Sequence, residues 1–157
     1  MQGKKGLIMG VANDRSIAWG IAKSLADNGA SIALTYQGEA LKKRVEPLAQ
    51  SINSDILIPC DVADSLSMEN VFKTLKEKWG QLDFLVHGIG FSNKDELRGK
   101  YYNTTSENFN QTMHISCYSF TEACRLAEPL MNEGGSVLTL TYYGSEQVMP
   151  HYNVMGV

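Results

Sequence analysis

Short unbroken apolar runs alternate with longer stretches of helical period along this chain, and that alternation constrains its fold more than any other feature. Gly6–Met9, Ser31–Tyr36, Asp55–Cys60, Asp83–His87 and Ser136–Thr141 read as strands. Each is apolar through its middle, the pattern of strands covered by helices on both faces. Between them, Ile17, Ile21 and Leu25 form one helical stripe, and Met68, Phe72, Leu75 and Trp79 form another. A longer stripe, Phe109, Met113, Phe120, Cys124, Ala127 and Met131, predicts a helix of about six turns disrupted by Pro129 and by Gly134-Gly135. Asn28-Gly29, Trp79-Gly80 and Glu133-Gly134-Gly135 carry turn chemistry at the expected boundaries. With right-handed crossovers this order predicts an α/β fold, a doubly wound parallel sheet of the Rossmann kind, whose ligand lies beyond the carboxyl ends of the strands.

Composition narrows the class further. A chain of 157 residues, 43% hydrophobic and 20% charged, reads as one domain over 1–157. At this length about 70% of the unfolded chain's surface can be buried, so the core needs no disulfide or metal. The net charge is −3, and basic residues are scattered except for Lys42, Lys43 and Arg44, which argues against a nucleic-acid partner. Cys60, Cys117 and Cys124 are odd in number and widely spaced in apolar surroundings, so they read as buried thiols in a reducing compartment, not as a disulfide framework or a zinc site. No apolar run approaches the roughly 20 residues of a membrane span, and the N-terminus enters a strand without a leader pattern. A cytoplasmic protein without a membrane partner is the expectation.

The first strand leaves through Gly10-Val11-Ala12-Asn13-Asp14-Arg15-Ser16-Ile17, which is not the GxGxxG pattern. Its physical requirements are still met. Gly10 allows a tight exit, Ala12 keeps the loop small, and Ser16 suits the N-cap of the helix beginning at Ile17. Free N–H groups and partial positive charge at a helix N-terminus suit a pyrophosphate. A glycine turn and a capped helix without any ligand would use the same residues. Gln37, at the end of the second strand, is neutral and able to bond a ribose hydroxyl, which favours NADH over NADPH. Lys42, Lys43 and Arg44 weigh against that preference unless they form a solvated helix face. Asp61 follows the third strand, where it could accept the adenine amino group or cap the next helix, a task open equally to Asp64 and Ser65.

Taken together, Gly10-Val11-Ala12 with Ser16-Ile17-Ala18, Thr35-Tyr36-Gln37, Cys60-Asp61-Val62, His87-Gly88-Ile89-Gly90-Phe91, and Tyr142-Tyr143-Gly144 through Pro150-His151-Tyr152-Asn153-Val154-Met155-Gly156 resemble the NADH-dependent enoyl-acyl-carrier-protein reductases. This is a divergent branch of the short-chain dehydrogenases, and the likeness covers the whole chain. Ordinary short-chain dehydrogenases place a lysine four residues after the catalytic tyrosine, where this chain has Gly156. The enoyl reductases put six residues between them, which from Tyr152 falls two positions beyond Val157. The resemblance therefore implies the N-terminal part of a longer enzyme: a single NAD-binding domain, truncated after the fifth strand, incomplete at its C-terminus and inactive as a polypeptide ending at Val157.

For the site, the resemblance implies NADH as cofactor and an enoyl-acyl-carrier-protein substrate. Tyr152 is the implied hydroxyl donor to the thioester oxygen, and Tyr142 a second tyrosine lining the acyl pocket. Gly10, Ala12, Ser16, Ile17, Gln37, Asp61, Val62, Gly88, Ile89 and Gly90 are the implied cofactor contacts, and Ser92 a substrate contact. No metal is implied. Gly88 stands where many members carry Ser, and His114 where several carry Asp, so His114 reads as a packed or capping residue. The helix from about Ser106 to Met131 also carries Ile115, Tyr118 and Leu126 beyond its stripe, and the family implies a homotetramer built partly on it. A non-catalytic nucleotide sensor and a ketone-reducing dehydrogenase are the alternatives, the latter disfavoured by Gly156.

Overall fold

The computed structural model describes residues 1–157. Its strands are β1 (Lys5–Met9), β2 (Ser31–Tyr36), β3 (Ile56–Pro59), β4 (Leu82–His87) and β5 (Met131–Thr139). Its helices are α1 (Ile17–Asp27), α2 (Gly38–Ser51), α3 (Ser65–Trp79), α4 (Ser106–Met113), α5 (Ser119–Ala127) and α6 (Asn153–Gly156). The strands form one sheet in the order β3-β2-β1-β4-β5, and every pair is parallel. This is the doubly wound sheet read from the alternation of apolar runs.

Pleating sends successive strand residues to opposite faces, so each central strand feeds two cores. Leu7, Met9, Ala33 and Leu85 pack with α3 and α5. Ile8, Ile32, Leu34, Phe84 and Val86 pack with α1 and α2. The α3 stripe behaves as its period predicts, burying Met68, Val71, Phe72 and Leu75 with Trp79 packed at the edge. Asp64 starts that helix by accepting the Leu66 N–H at 3.0 Å, and Gly80 ends it at φ 72°. Asp61 is therefore not the cap.

Three expectations are corrected. In α1 Ile21 and Leu25 pack at the edge of a core whose fully buried members are Ala18, Trp19 and Ala22, but Ile17, at the first position of the helix, is exposed. The long helix is not uniform: α4 passes into a π turn over His114–Tyr118, then α5, then a tight turn over Glu128–Leu130, and Met131 already belongs to β5. Its inner face is largely polar, with Asn108, Thr112, Ser119 and Glu122 buried beside Ala123 and Ala127, while Phe109 is exposed. Finally, β5 is not covered on both faces, since Val137 and Leu138 are exposed. Its pairing with β4 slips between Leu82↔Met131 and Phe84↔Ser136, so Gly134 and Gly135 lie in a bulge and regular pairing begins at Ser136.

The cysteines also divide. Cys60 is buried and Cys124 half-buried, but Cys117 is exposed, which corrects the reading of all three as buried. No helix is long and apolar enough to cross a membrane.

Candidate functional site

The chain builds outward from β1 through β2 to β3 and then returns to place β4 on the other side of β1. At such a reversal the loops leaving adjacent strands diverge and open a crevice. Here the two exits touch. Gly88 N–H donates to the Met9 carbonyl at 3.0 Å. Gly10 has φ 97°, and a Cβ there would collide with the Gly88 carbonyl, so glycine is required by conformation and by space together.

The loop after β1 is closed by Ser16, whose Oγ accepts the N–H groups of Ala12 at 3.0 Å and Asn13 at 3.1 Å. Ser16 occupies the N-cap position of α1, but its hydroxyl turns back into the loop and caps nothing. The first-turn N–H groups of α1 are thus without a side-chain cap, the arrangement an anionic group would complete.

A cavity of about 340 Å³ opens over this loop. It gathers Gly10 and Ala12 from the first loop, Gln37 from the end of β2, Asp61 and Val62 from the end of β3, and Gly88, Ile89 and Gly90 from the end of β4. Ser16 and Ile17 do not line it; Ile17 stands exposed at the start of α1. Gln37 Nε2 donates to Asp61 Oδ2 at 3.1 Å, joining the two strand ends into a rim that carries one negative charge. Asp61 Oδ1 accepts the Ala63 N–H at 2.9 Å. Of the basic cluster, Lys42 is 3.9 Å from Glu39 and 6.0 Å above the Tyr36 ring, and none of Lys42, Lys43 and Arg44 lines the cavity. Cys60 lies in the wall, where burial and then the Asp61 carboxylate push its pKa up to about 12. It is a neutral thiol there, unsuited to nucleophilic chemistry.

A second cavity, of about 390 Å³, shares the Gly88–Gly90 wall and lies on its other side. Tyr142, beyond β5, and Tyr152, just before α6, both line it, with ring centroids 4.5 Å apart and planes 30° apart. Phe120, Leu140 and Met155 make much of its surface apolar. Ser92 lines neither cavity; its hydroxyl lies 2.9 Å from Thr112 Oγ1, which donates to it. His114 opens the π turn with its ring 5.4 Å from Tyr118.

Two features escaped the sequence reading. Ser116 Oγ accepts the Phe91 N–H at 2.9 Å and donates to the Phe91 carbonyl at 3.0 Å. His87, almost fully buried at the end of β4, places Nε2 2.8 Å from Ser119 Oγ. Burial pushes its pKa below the ordinary histidine value. The available signal was the recurrence of Thr112, Ser116 and Ser119 at helical spacing on one side of an otherwise apolar stripe.

Fold and site together define a doubly wound α/β domain with a crevice where its strand order reverses and a second, largely apolar cavity against the same glycine wall. Residues 10–157 match the model of the enoyl-(acyl carrier protein) reductase family, and the chain belongs to that family. Over 157 residues it is 65% identical to enoyl-acyl-carrier-protein reductase (NADH) 2 of Rhizobium meliloti, covering all of this chain and 59% of that protein. The enoyl-acyl-carrier-protein reductase of Anaplasma phagocytophilum, solved in complex with NAD, superposes with a TM-score of 0.96 at 60% identity, over 99% of this chain and 60% of that one. FabI from Candidatus Liberibacter asiaticus superposes equally well, at 58% identity. The chain thus spans about 60% of the length of these relatives.

Proposed function

We propose that the protein of which this chain forms part is an enoyl-acyl-carrier-protein reductase that uses NADH to reduce a trans-2-enoyl thioester in fatty acid synthesis. The observation that carries this reading is the Tyr142–Tyr152 pair facing a cavity that shares the Gly88–Gly90 wall with the nucleotide crevice.

The residues present fit a nicotinamide dinucleotide. Uncapped N–H groups at the start of α1 suit its pyrophosphate, and the Gln37–Asp61 rim suits the hydroxyls and amino group of its adenosine end. Gly88, Ile89 and Gly90 let it lie close to the chain where the two cavities meet. When bound, NADH supplies the hydride delivered to C3 of the enoyl group.

The negative charge that then develops on the thioester oxygen must be met by a donor. Tyr152 carries a phenol hydroxyl suited to that task, and one such donor in a dry site contributes about 3 to 4 kcal/mol. Tyr142, stacked on Tyr152, limits the positions its ring can take and lines the acyl pocket. Phe120, Leu140 and Met155 offer apolar surface to the acyl chain and exclude water. Cytoplasmic placement and a homotetramer built partly on α4 and α5 belong to the same reading; of the three surplus apolar residues Ile115 and Leu126 pack against this chain's own core, so exposed Tyr118, with exposed Phe109, is what supports a subunit contact there.

The test is NADH oxidation by the full-length protein with a short enoyl thioester. Substrate-dependent oxidation is expected. Tight NADH binding without turnover would favour a nucleotide sensor instead.

A further inference from the structure

We propose that His87 is a positioning residue for the site: through Ser119 and the Ile115 carbonyl it holds the π turn of the long helix open, and that turn clamps the wall between the two cavities. The inference rests on reading those cavities as the cofactor and enoyl sites.

The proton count sets the direction of the chain of bonds. Ser119 Oγ lies 2.6 Å from the Ile115 carbonyl and 2.8 Å from His87 Nε2. A carbonyl only accepts, and a hydroxyl has one proton to give. Ser119 therefore donates to Ile115 and accepts from His87, so the imidazole carries its proton on Nε2. His87 Nδ1 is left as a buried acceptor without a partner.

This relay sits where the helix changes its pattern. In an α-helix the Ser119 N–H would bond the Ile115 carbonyl four residues back. Here it reaches five residues back, to His114, and the Ser119 hydroxyl meets the Ile115 carbonyl in its place. Without a fixed donor at Nε2 nothing holds that hydroxyl in its orientation, and the ordinary α-helical register becomes available.

The register decides what faces the site. With the π turn in place, Ile115 lines the nucleotide cavity and Ser116 lines the tyrosine cavity. Ser116 bonds both the N–H and the carbonyl of Phe91. Gly88 N–H is held by Met9, and the His87 carbonyl accepts the Leu140 N–H at 3.2 Å. The Gly88–Phe91 wall is thus fastened at its start by the strand ends and at Phe91 by Ser116, with Thr112 bonding Ser92 at 2.9 Å and Asn108 accepting the Asn93 N–H at 3.0 Å just beyond it. No other side chain hydrogen-bonds the Phe91 backbone.

The experiment uses the full-length protein with His87→Leu, His87→Gln and Ser119→Ala. Leucine removes the donor, glutamine returns an amide N–H at the reach of Nε2, and alanine deletes the relay with little change in volume. Expected for Leu and Ala are KM values for NADH and for a short enoyl thioester raised about tenfold, the effect of one ordinary hydrogen bond, with kcat changed much less. Hydrogen exchange at the Phe91 amide should accelerate by a similar factor, and Gln should restore both readouts. A nitrogen NMR spectrum should show His87 protonated on Nε2. Unchanged KM and unchanged Phe91 exchange in folded Ser119→Ala would overturn the proposal, as would a glutamine variant no better than leucine. If the unmodified protein reduces no enoyl thioester, the functional reading fails, and Phe91 exchange still decides the positioning role.

Discussion

The carbonyl of Gly88 fills the space that a Cβ on Gly10 would take, and this contact joins the exits of β1 and β4. Both cavities depend on it, because Gly10 floors the first and Gly88 belongs to the wall of both.

Gly10→Ala is accordingly expected to be poorly tolerated. The residue must hold φ 97° and push the Gly88 strand exit away, a combined cost of about 1 to 3 kcal/mol or more. Denaturant unfolding and NADH titration should both report the loss. Wild-type stability with wild-type NADH affinity would contradict the close approach.

The cofactor rim holds a carboxylate at Asp61 and an amide at Gln37, with the basic cluster outside the cavity. A 2'-phosphate there meets like charge and no cation. The full-length protein should oxidise NADH faster than NADPH at equal concentration. Faster use of NADPH would mean that Lys42, Lys43 or Arg44 swings in to reach the phosphate.

Tyr152→Phe in the full-length protein keeps the ring stacked on Tyr142 and removes only the hydroxyl. Turnover should fall by about a hundredfold or more, while NADH affinity changes little, because the hydroxyl serves charge present only as the reaction proceeds. Steady-state rates and cofactor titration on one preparation separate the two effects. Undiminished kcat would remove Tyr152 from the chemistry.

Two groups predict the acid limb of stability. His87 is held neutral by burial, so its folded pKa lies below its unfolded value and stability declines as pH falls below about 6.5. Asp83 accepts from Lys4 at 2.9 Å, from the Lys5 N–H at 2.8 Å and from Asn132 at 3.2 Å, which hold its pKa down to about 2. Its contribution is present above the ordinary carboxylate range and is lost between about pH 4 and pH 2. Lys4 is largely exposed, so the backbone N–H should matter more than the ion pair. Unfolding followed against pH should show the first loss move in His87→Gln and the second in Asp83→Asn. An unshifted profile in both would refute these assignments.

Assembly is tested by sedimentation of the full-length protein at micromolar concentration. A tetramer is expected, and Phe109→Lys with Tyr118→Lys should weaken it, since both side chains are exposed on the long helix. A wild-type monomer would set the subunit contact aside.

The strands, α3 and the glycine exits were legible along the chain because their physics is local. Burial on both faces writes continuous apolar runs, one-sided burial writes a helical period, and a ligand crevice at strand ends makes Gly10, Gln37, Asp61 and Gly88 chain neighbours of recognisable strands. Other features depend on donors and acceptors brought together from distant segments. Ser16 could cap α1 or close its own loop, and the tertiary course of that loop selected the second. The long helix has apolar residues enough for either side to face inward. Its polar side is buried because His87 and Phe91, from another strand and loop, supply partners for Ser119 and Ser116. An apolar stripe records how much surface a helix can bury, but a buried hydroxyl is stable only where a partner meets it, and the position of that partner is a property of the folded chain.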